Sequence, residues 1–188
     1  MEDSKATSRK SVYQPIVNIT LHQYVFDFLS ESNKKLYRPL GDIYLYYCAQ
    51  LFEKYLHSDL FFNSSELGTQ FLEIITTSTE NQYGNSNNFD STTCTASKLQ
   101  TVAEKAFLNC AMFAKSKKIQ FIGINYYSQL SKHSFLKLNN FRPAYMENKN
   151  FFLNYASHTS LLISLLSSIN QQQENQSFWD LFSPKIHE

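Results

Sequence analysis

At 188 residues with a formal net charge of +1, the chain is long enough to bury a core. It is too near neutral to coat nucleic acid or a membrane with its whole surface. Its 16 Phe, 12 Tyr and one Trp exclude a disordered chain, and only four glycines argue against folds rich in tight hairpins or phosphate-cradling loops.

The amino terminus, Met1 to Lys10, is polar and charged with no apolar stretch of signal-peptide type, so an intracellular protein is expected. Leu21, Tyr24, Val25, Phe28 and Leu29 then follow the 3.6-residue period, predicting a helix from about Ile19 to Ser30. Thr20 and Gln23 have the spacing of a capping box. After a polar connection marked by Pro39 and Gly41, Asp42 opens a helix to about His57. Its only clear polar stripe is Gln50, Glu53, Lys54 and His57. A helix apolar over most of its circumference is buried on several sides or meets a partner. Tyr44 and Tyr47 are therefore candidate partner contacts.

Ser64 or Ser65 is placed to cap a shorter helix from Glu66 to Thr77. The composition then turns to Ser, Thr, Asn and Gln, and residues 78–96 are predicted to be a long polar loop dividing an amino-terminal helical part, 1–77, from a carboxy-terminal one, 97–188. Both parts are expected to belong to one domain. Ser97 and Gln100 repeat the capping-box spacing, and a helical stripe runs behind them to about Ser116. Ile119 to Ile124 leaves room for at most one very short strand near 119–122. Asn125 can cap a helix to about Leu138, Pro143 ends that pattern, and a last helix is predicted from Lys149 to about Gln172. It is too often interrupted by polar residues to span a membrane. The tail, with Phe178, Trp179, Leu181 and Phe182, is too apolar for a plain solvated terminus. It is expected to pack back on the domain or to dock on a partner; Phe178, Trp179 and Phe182 are its candidate contacts. The fold class expected from these elements is all-α.

No motif here carries an enzyme's chemistry. Three cysteines (Cys48, Cys94, Cys110) make neither a disulfide framework nor a CxxC metal pair, and five histidines stand singly. G-x-S-x-G, G-x-G-x-x-G and the P-loop pattern are all missing. The expectation is a non-enzymatic protein with no cofactor, no metal and no small-molecule substrate. Charge is unevenly spread. Residues 61–97 carry four acidic groups and no basic one, whereas residues 98–150 carry nine basic groups against Glu104 and Glu147, a net of +7. Within it Lys115, Lys117, Lys118, Lys132 and Lys137 are candidate nucleic-acid contacts.

From Ala103 to Leu130 the sequence reads A-E-K-A-F-L-N-C-A-M-F-A-K-S-K-K-I-Q-F-I-G-I-N-Y-Y-S-Q-L: long helix, basic turn, short extended segment, start of a short helix. The window Ser97–Leu138 resembles the second half of a histone fold, with Phe113-Ala114-Lys115 ending the central helix and Asn125 capping the last. The resemblance implies a protein partner, because a lone histone fold leaves one side of its central helix uncovered. It also implies DNA near Lys115, Lys117 and Lys118, and a nuclear location. More distantly, Phe135-Leu136-Lys137-Leu138-Asn139-Asn140-Phe141 is similar to the Phe-Tyr-x-x-x-Gly-Phe segment of GNAT-type acetyltransferases. That resemblance implies a sheet and a glycine-rich pyrophosphate turn, yet Asn140 stands at the family's glycine and residues 90–96 hold none. The function expected from the whole is a helical protein–protein interaction subunit of an intracellular, DNA-associated complex. The alternatives are a degenerate acyltransferase fold and a free-standing helical bundle.

Overall fold

A computed structural model of the chain describes residues 20–56, 66–83, 89–113 and 123–171. Among these, helices α1 (Leu21–Lys34), α2 (Asp42–Leu56), α3 (Leu67–Tyr83), α4 (Phe89–Phe113), α5 (Ile124–Phe141) and α6 (Phe151–Ser167) form the framework. A 3-10 turn, Ser168–Gln171, extends α6, and a hairpin of β1 (Ala144–Tyr145) and β2 (Asn148–Lys149) joins α5 to α6. The fold is all-α. The described residues carry no sheet of the size an acetyltransferase resemblance implies, and the one hairpin lies at 144–149. The strand expected near 119–122 falls outside the described residues.

Thr20 caps α1, its Oγ1 accepting from the amide of Gln23 at 3.1 Å. The reciprocal half of a capping box is not made, because the Gln23 side chain donates forward to Asp27 at 2.8 Å. The helix buries Leu21, Val25, Leu29 and Asn33, one residue per turn. Asn33 then fixes the next connection. Its amide nitrogen donates to the Leu40 carbonyl (2.9 Å) and its amide oxygen accepts from the Leu40 N–H (2.8 Å), so both backbone groups of a buried connection residue are paired.

The predicted loop at 78–96 is largely helical instead. α3 continues to Tyr83 and α4 already begins at Phe89, leaving only residues 84–88 between them outside the described residues. Ser97 and Gln100 consequently lie inside α4 rather than capping it. α4 is the central element. Val102, Ala103, Glu104, Ala106, Phe107, Leu108, Asn109, Cys110 and Ala111 are all buried, a nearly unbroken run that encloses the helix on every side. Small residues let α5 come close: Ser131 donates to the Ala103 carbonyl at 3.1 Å, and the Cys110 thiol reaches the Ile124 carbonyl at 3.4 Å. Later residues of α4 pair with earlier residues of α5, so the two run antiparallel.

Asn125 does not cap α5. It sits in the first turn, and the cap position is Gly123 at φ 99°, a conformation that favours glycine. Pro143, which has no N–H to continue the helix, stands two residues beyond the end of α5. The hairpin that follows turns on Met146 and Glu147, at φ 45° and 66°, the two positive values of a type I′ turn. Asn-Gly is the usual pair there; Met-Glu holds the same shape under backbone strain of about 1–2 kcal/mol per residue. Asn150, also left-handed at φ 57°, is the cap of α6, which begins two residues later than predicted, at Phe151. Rings of Tyr47, Phe135, Phe151, Phe152 and Tyr155 meet between α2, α5 and α6, with edge-to-face centroid distances as short as 4.8 Å.

Candidate functional site

The densest polar constellation converges on Glu104, whose side chain is 1% exposed in the middle of α4. Its Oε1 accepts from Tyr47 Oη (2.7 Å) and Gln100 Nε2 (2.6 Å). Its Oε2 accepts from Lys54 Nζ (2.6 Å) and Tyr55 Oη (2.8 Å). Four donors on one carboxylate offset the cost of burying its charge. An outer layer orients them. Arg142 donates to Gln100 Oε1 at 2.6 Å and to Ser97 Oγ at 3.2 Å, and Tyr145 donates to Gln50. Burial first, and the Glu104 charge second, push the hydroxyls of Tyr47 and Tyr55 well above the ordinary tyrosine range. Both therefore stay protonated and donate to the carboxylate, and Tyr47 Oη also accepts from Gln100 Nε2 at 3.3 Å.

These groups line an open cleft of about 390 Å³ bordered by Tyr47, Gln50, Lys54, Gln100, Glu104 and Tyr145. A second hollow of about 460 Å³ lies between α3 and α4, bordered by Gln70, Glu73, Ile74, Thr95, Lys98 and Thr101. In the first cleft, both carboxylate oxygens of Glu104 are already taken by the protein's own donors. The network ties α2 to α4 and α4 to the end of α5, which is an architectural task. Among the described residues no group of His, Cys, Asp and Glu is arranged to hold a metal ion, and no helix is long and apolar enough to cross a membrane.

The residues predicted as contacts are scattered by the fold. Tyr47, expected at a partner surface, is instead buried at 2% exposure, because Glu104, 57 positions along the chain, supplies an acceptor for its hydroxyl inside the core. Tyr44 is half-buried, stacked on Phe151 at 5.5 Å and beside His158 at 5.4 Å. Lys132 and Lys137 are exposed on α5. Five positions apart, they point about 140° from each other around the helix, so they flank its outer face rather than form one patch. Lys115, Lys117, Lys118, Phe178, Trp179 and Phe182 lie outside the described residues.

Sequence reading missed Glu104, Gln100 and Arg142. The one available signal was a carboxylate inside the apolar stripe Val102-Ala103-x-x-Ala106. It also missed where large apolar side chains remain in solvent. Three of these are Tyr37 in the α1–α2 connection (95% exposed), Met146 at the strained turn (56%) and Leu153 in the first turn of α6 (44%). A second set, Leu72, Ile124 and Tyr126, lies where α3 meets the start of α5. Compared with known proteins, the chain matches no family model, no curated protein and no solved structure.

Proposed function

We propose that this chain is a non-enzymatic helical subunit that works by binding another protein, through the end of the bundle where the α1–α2 connection, the hairpin and the start of α6 meet. The observation that carries the reading is Met146. A large apolar side chain is held in solvent at the tip of a hairpin, on a left-handed backbone that a methionine adopts only at a cost. Strain at an exposed position has no use in packing the core and is expected where another molecule supplies the compensating contacts. Tyr37 and Leu153 are further exposed side chains of those three segments, and Tyr44 is half-buried. The non-enzymatic part of the reading is supported by Glu104, the most deeply buried carboxylate among the described residues, whose two oxygens each already accept from two protein donors.

The histone-like reading of α4 and α5 stays part of the proposal in altered form. Because α4 is enclosed by its own chain, the partner contact belongs at the end of the bundle and not along the central helix. Nucleic-acid binding, within an intracellular and nuclear complex, is proposed for Lys115, Lys117 and Lys118, with Lys132 and Lys137 as flanking cations.

Affinity capture from the source cells tests the protein-binding claim. The wild-type chain retains a partner that the doubly substituted Met146→Glu, Leu153→Glu chain loses. Recovery of the same proteins by both would overturn it. For nucleic acid, changing Lys115, Lys117 and Lys118 to Gln is expected to weaken DNA binding and flatten its salt dependence; unchanged binding removes that part.

A further inference from the structure

The second exposed apolar set sits close to where the described chain ends. Leu72 is 65% exposed on α3. One turn earlier on the same face, Gly68 meets the hydroxyl end of Tyr126: a Cβ at Gly68 would stand 1.8 Å from the Tyr126 hydroxyl oxygen. Helical side chains lean toward their own amino terminus, so Leu72 leans toward that ring. Ile124 and Tyr126, both more than 40% exposed, continue the surface onto α5.

The carboxy-terminal end of α6 is anchored beside it. Ser167 Oγ donates to the Ala111 carbonyl at 3.0 Å, and the neighbouring residue, Cys110, touches the Ile124 carbonyl at 3.4 Å. From Gln171 to Phe178 is seven residues, about 23 Å of extended chain. That is ample to reach the surface, and Phe178, Trp179, Leu181 and Phe182 follow within five positions.

We propose that the Phe178–Phe182 segment docks in cis on the Leu72–Ile124–Tyr126 surface, closing the apolar edge between α3 and α5. This surface is distinct from the one around Met146. Its occupant is this chain's own tail, for the end of α6 delivers that tail to the adjacent edge.

Trp179 is the chain's only tryptophan, so its fluorescence reports the tail alone. In the full native chain its emission is expected to be blue-shifted and shielded from acrylamide. Leu72→Glu, a change at an exposed position, is expected to move both to the values of the urea-denatured chain while circular dichroism keeps its helical signal. Leu72→Ser is expected to shift them part of the way. Wild-type emission already at the denatured position would overturn the proposal. So would shielded emission that neither Leu72→Glu nor Tyr126→Ser moves, which places the tail elsewhere. Emission that reddens on dilution would identify a second copy as the occupant and overturn it too. Loss of helicity in both Leu72 variants would contradict the exposed placement on which the proposal stands.

Discussion

Lys54 and Glu104 join the amino-terminal and carboxy-terminal parts of this protein, with Nζ 2.6 Å from Oε2 across the boundary between α2 and α4. The ammonium is half in solvent and the carboxylate is buried, so the two ends of the bond are not equivalent. Removing Glu104 takes the acceptor from the buried hydroxyls of Tyr47 and Tyr55 together. Glu104→Ala is expected to destabilise the fold by about 3–5 kcal/mol, as for a broken buried ion pair. Lys54→Ala leaves three donors on the carboxylate and removes a solvent-screened charge, so it is expected to cost clearly less. Urea unfolding of the two variants checks the order; equal losses would show that the network is not centred on Glu104.

Asn33 is a single side chain satisfying both backbone groups of Leu40. Asn33→Ala leaves a buried N–H and a buried carbonyl without these partners, and is expected to cost at least about 2 kcal/mol. Asn33→Asp keeps the acceptor and loses the donor, so an intermediate loss is expected. Equilibrium unfolding by circular dichroism distinguishes them.

The hairpin turn offers a test in the opposite direction. Met146→Asn with Glu147→Gly supplies residues that accept positive φ, and is expected to stabilise the protein by about 1–2 kcal/mol. The same double variant is expected to bind the proposed partner less well. A gain in stability with no loss of binding would mean that the strain serves something other than contact.

Gly68 and Tyr126 are expected to couple. In a Tyr126→Ala background, Gly68→Ala gains the helix propensity of alanine, about 0.8–1 kcal/mol. In the wild type the new methyl displaces the Tyr126 hydroxyl, and the gain is expected to shrink or vanish. A double-mutant cycle reads the difference directly, and additivity would contradict the close approach.

Cys48 and Cys110 are buried, and burial pushes each thiol from its ordinary 9.0 up to about 12. The Tyr155 hydroxyl, 3.0 Å from the Cys48 sulfur, is pushed up as well, by burial first and then by Cys48. The folded state thus holds these protons more tightly than the unfolded state. Their contribution to stability is fully present below pH 9 and declines as pH rises from 9 to 12. Denaturation midpoints are expected to fall over that window, less steeply in Cys48→Ala. With a thiol reagent near neutral pH, exposed Cys94 is expected to react promptly and the other two only on unfolding.

Helix positions were legible wherever an apolar face repeated every three to four residues, as in Leu21, Val25 and Leu29 or in Val102, Ala106 and Cys110. Residues 78–95 were misread as loop because Ser, Thr, Asn and Gln describe polarity, not backbone shape. α3 continues to Tyr83 and α4 already begins at Phe89. Ser97 illustrates the same limit: its spacing to Gln100 matches a cap, but the helix begins eight residues earlier and its hydroxyl accepts from Arg142 instead. The Glu104 network was illegible for a different reason. Its members are local on their own helices, and only the packing of α2 on α4 brings Tyr47, Lys54 and Tyr55 to one carboxylate. The exposure of Met146 and Leu153 is likewise a property of the assembled bundle.

The central claim is that the end of the bundle around Met146 and Leu153 binds a protein. The most direct test is the dissociation constant of the captured partner for the wild-type chain and for Met146→Glu, Leu153→Glu. Loss of two apolar contacts at the centre of an interface is expected to weaken binding by at least about tenfold to a hundredfold, with the helical signal of the chain unchanged. Equal dissociation constants for the two chains would contradict it.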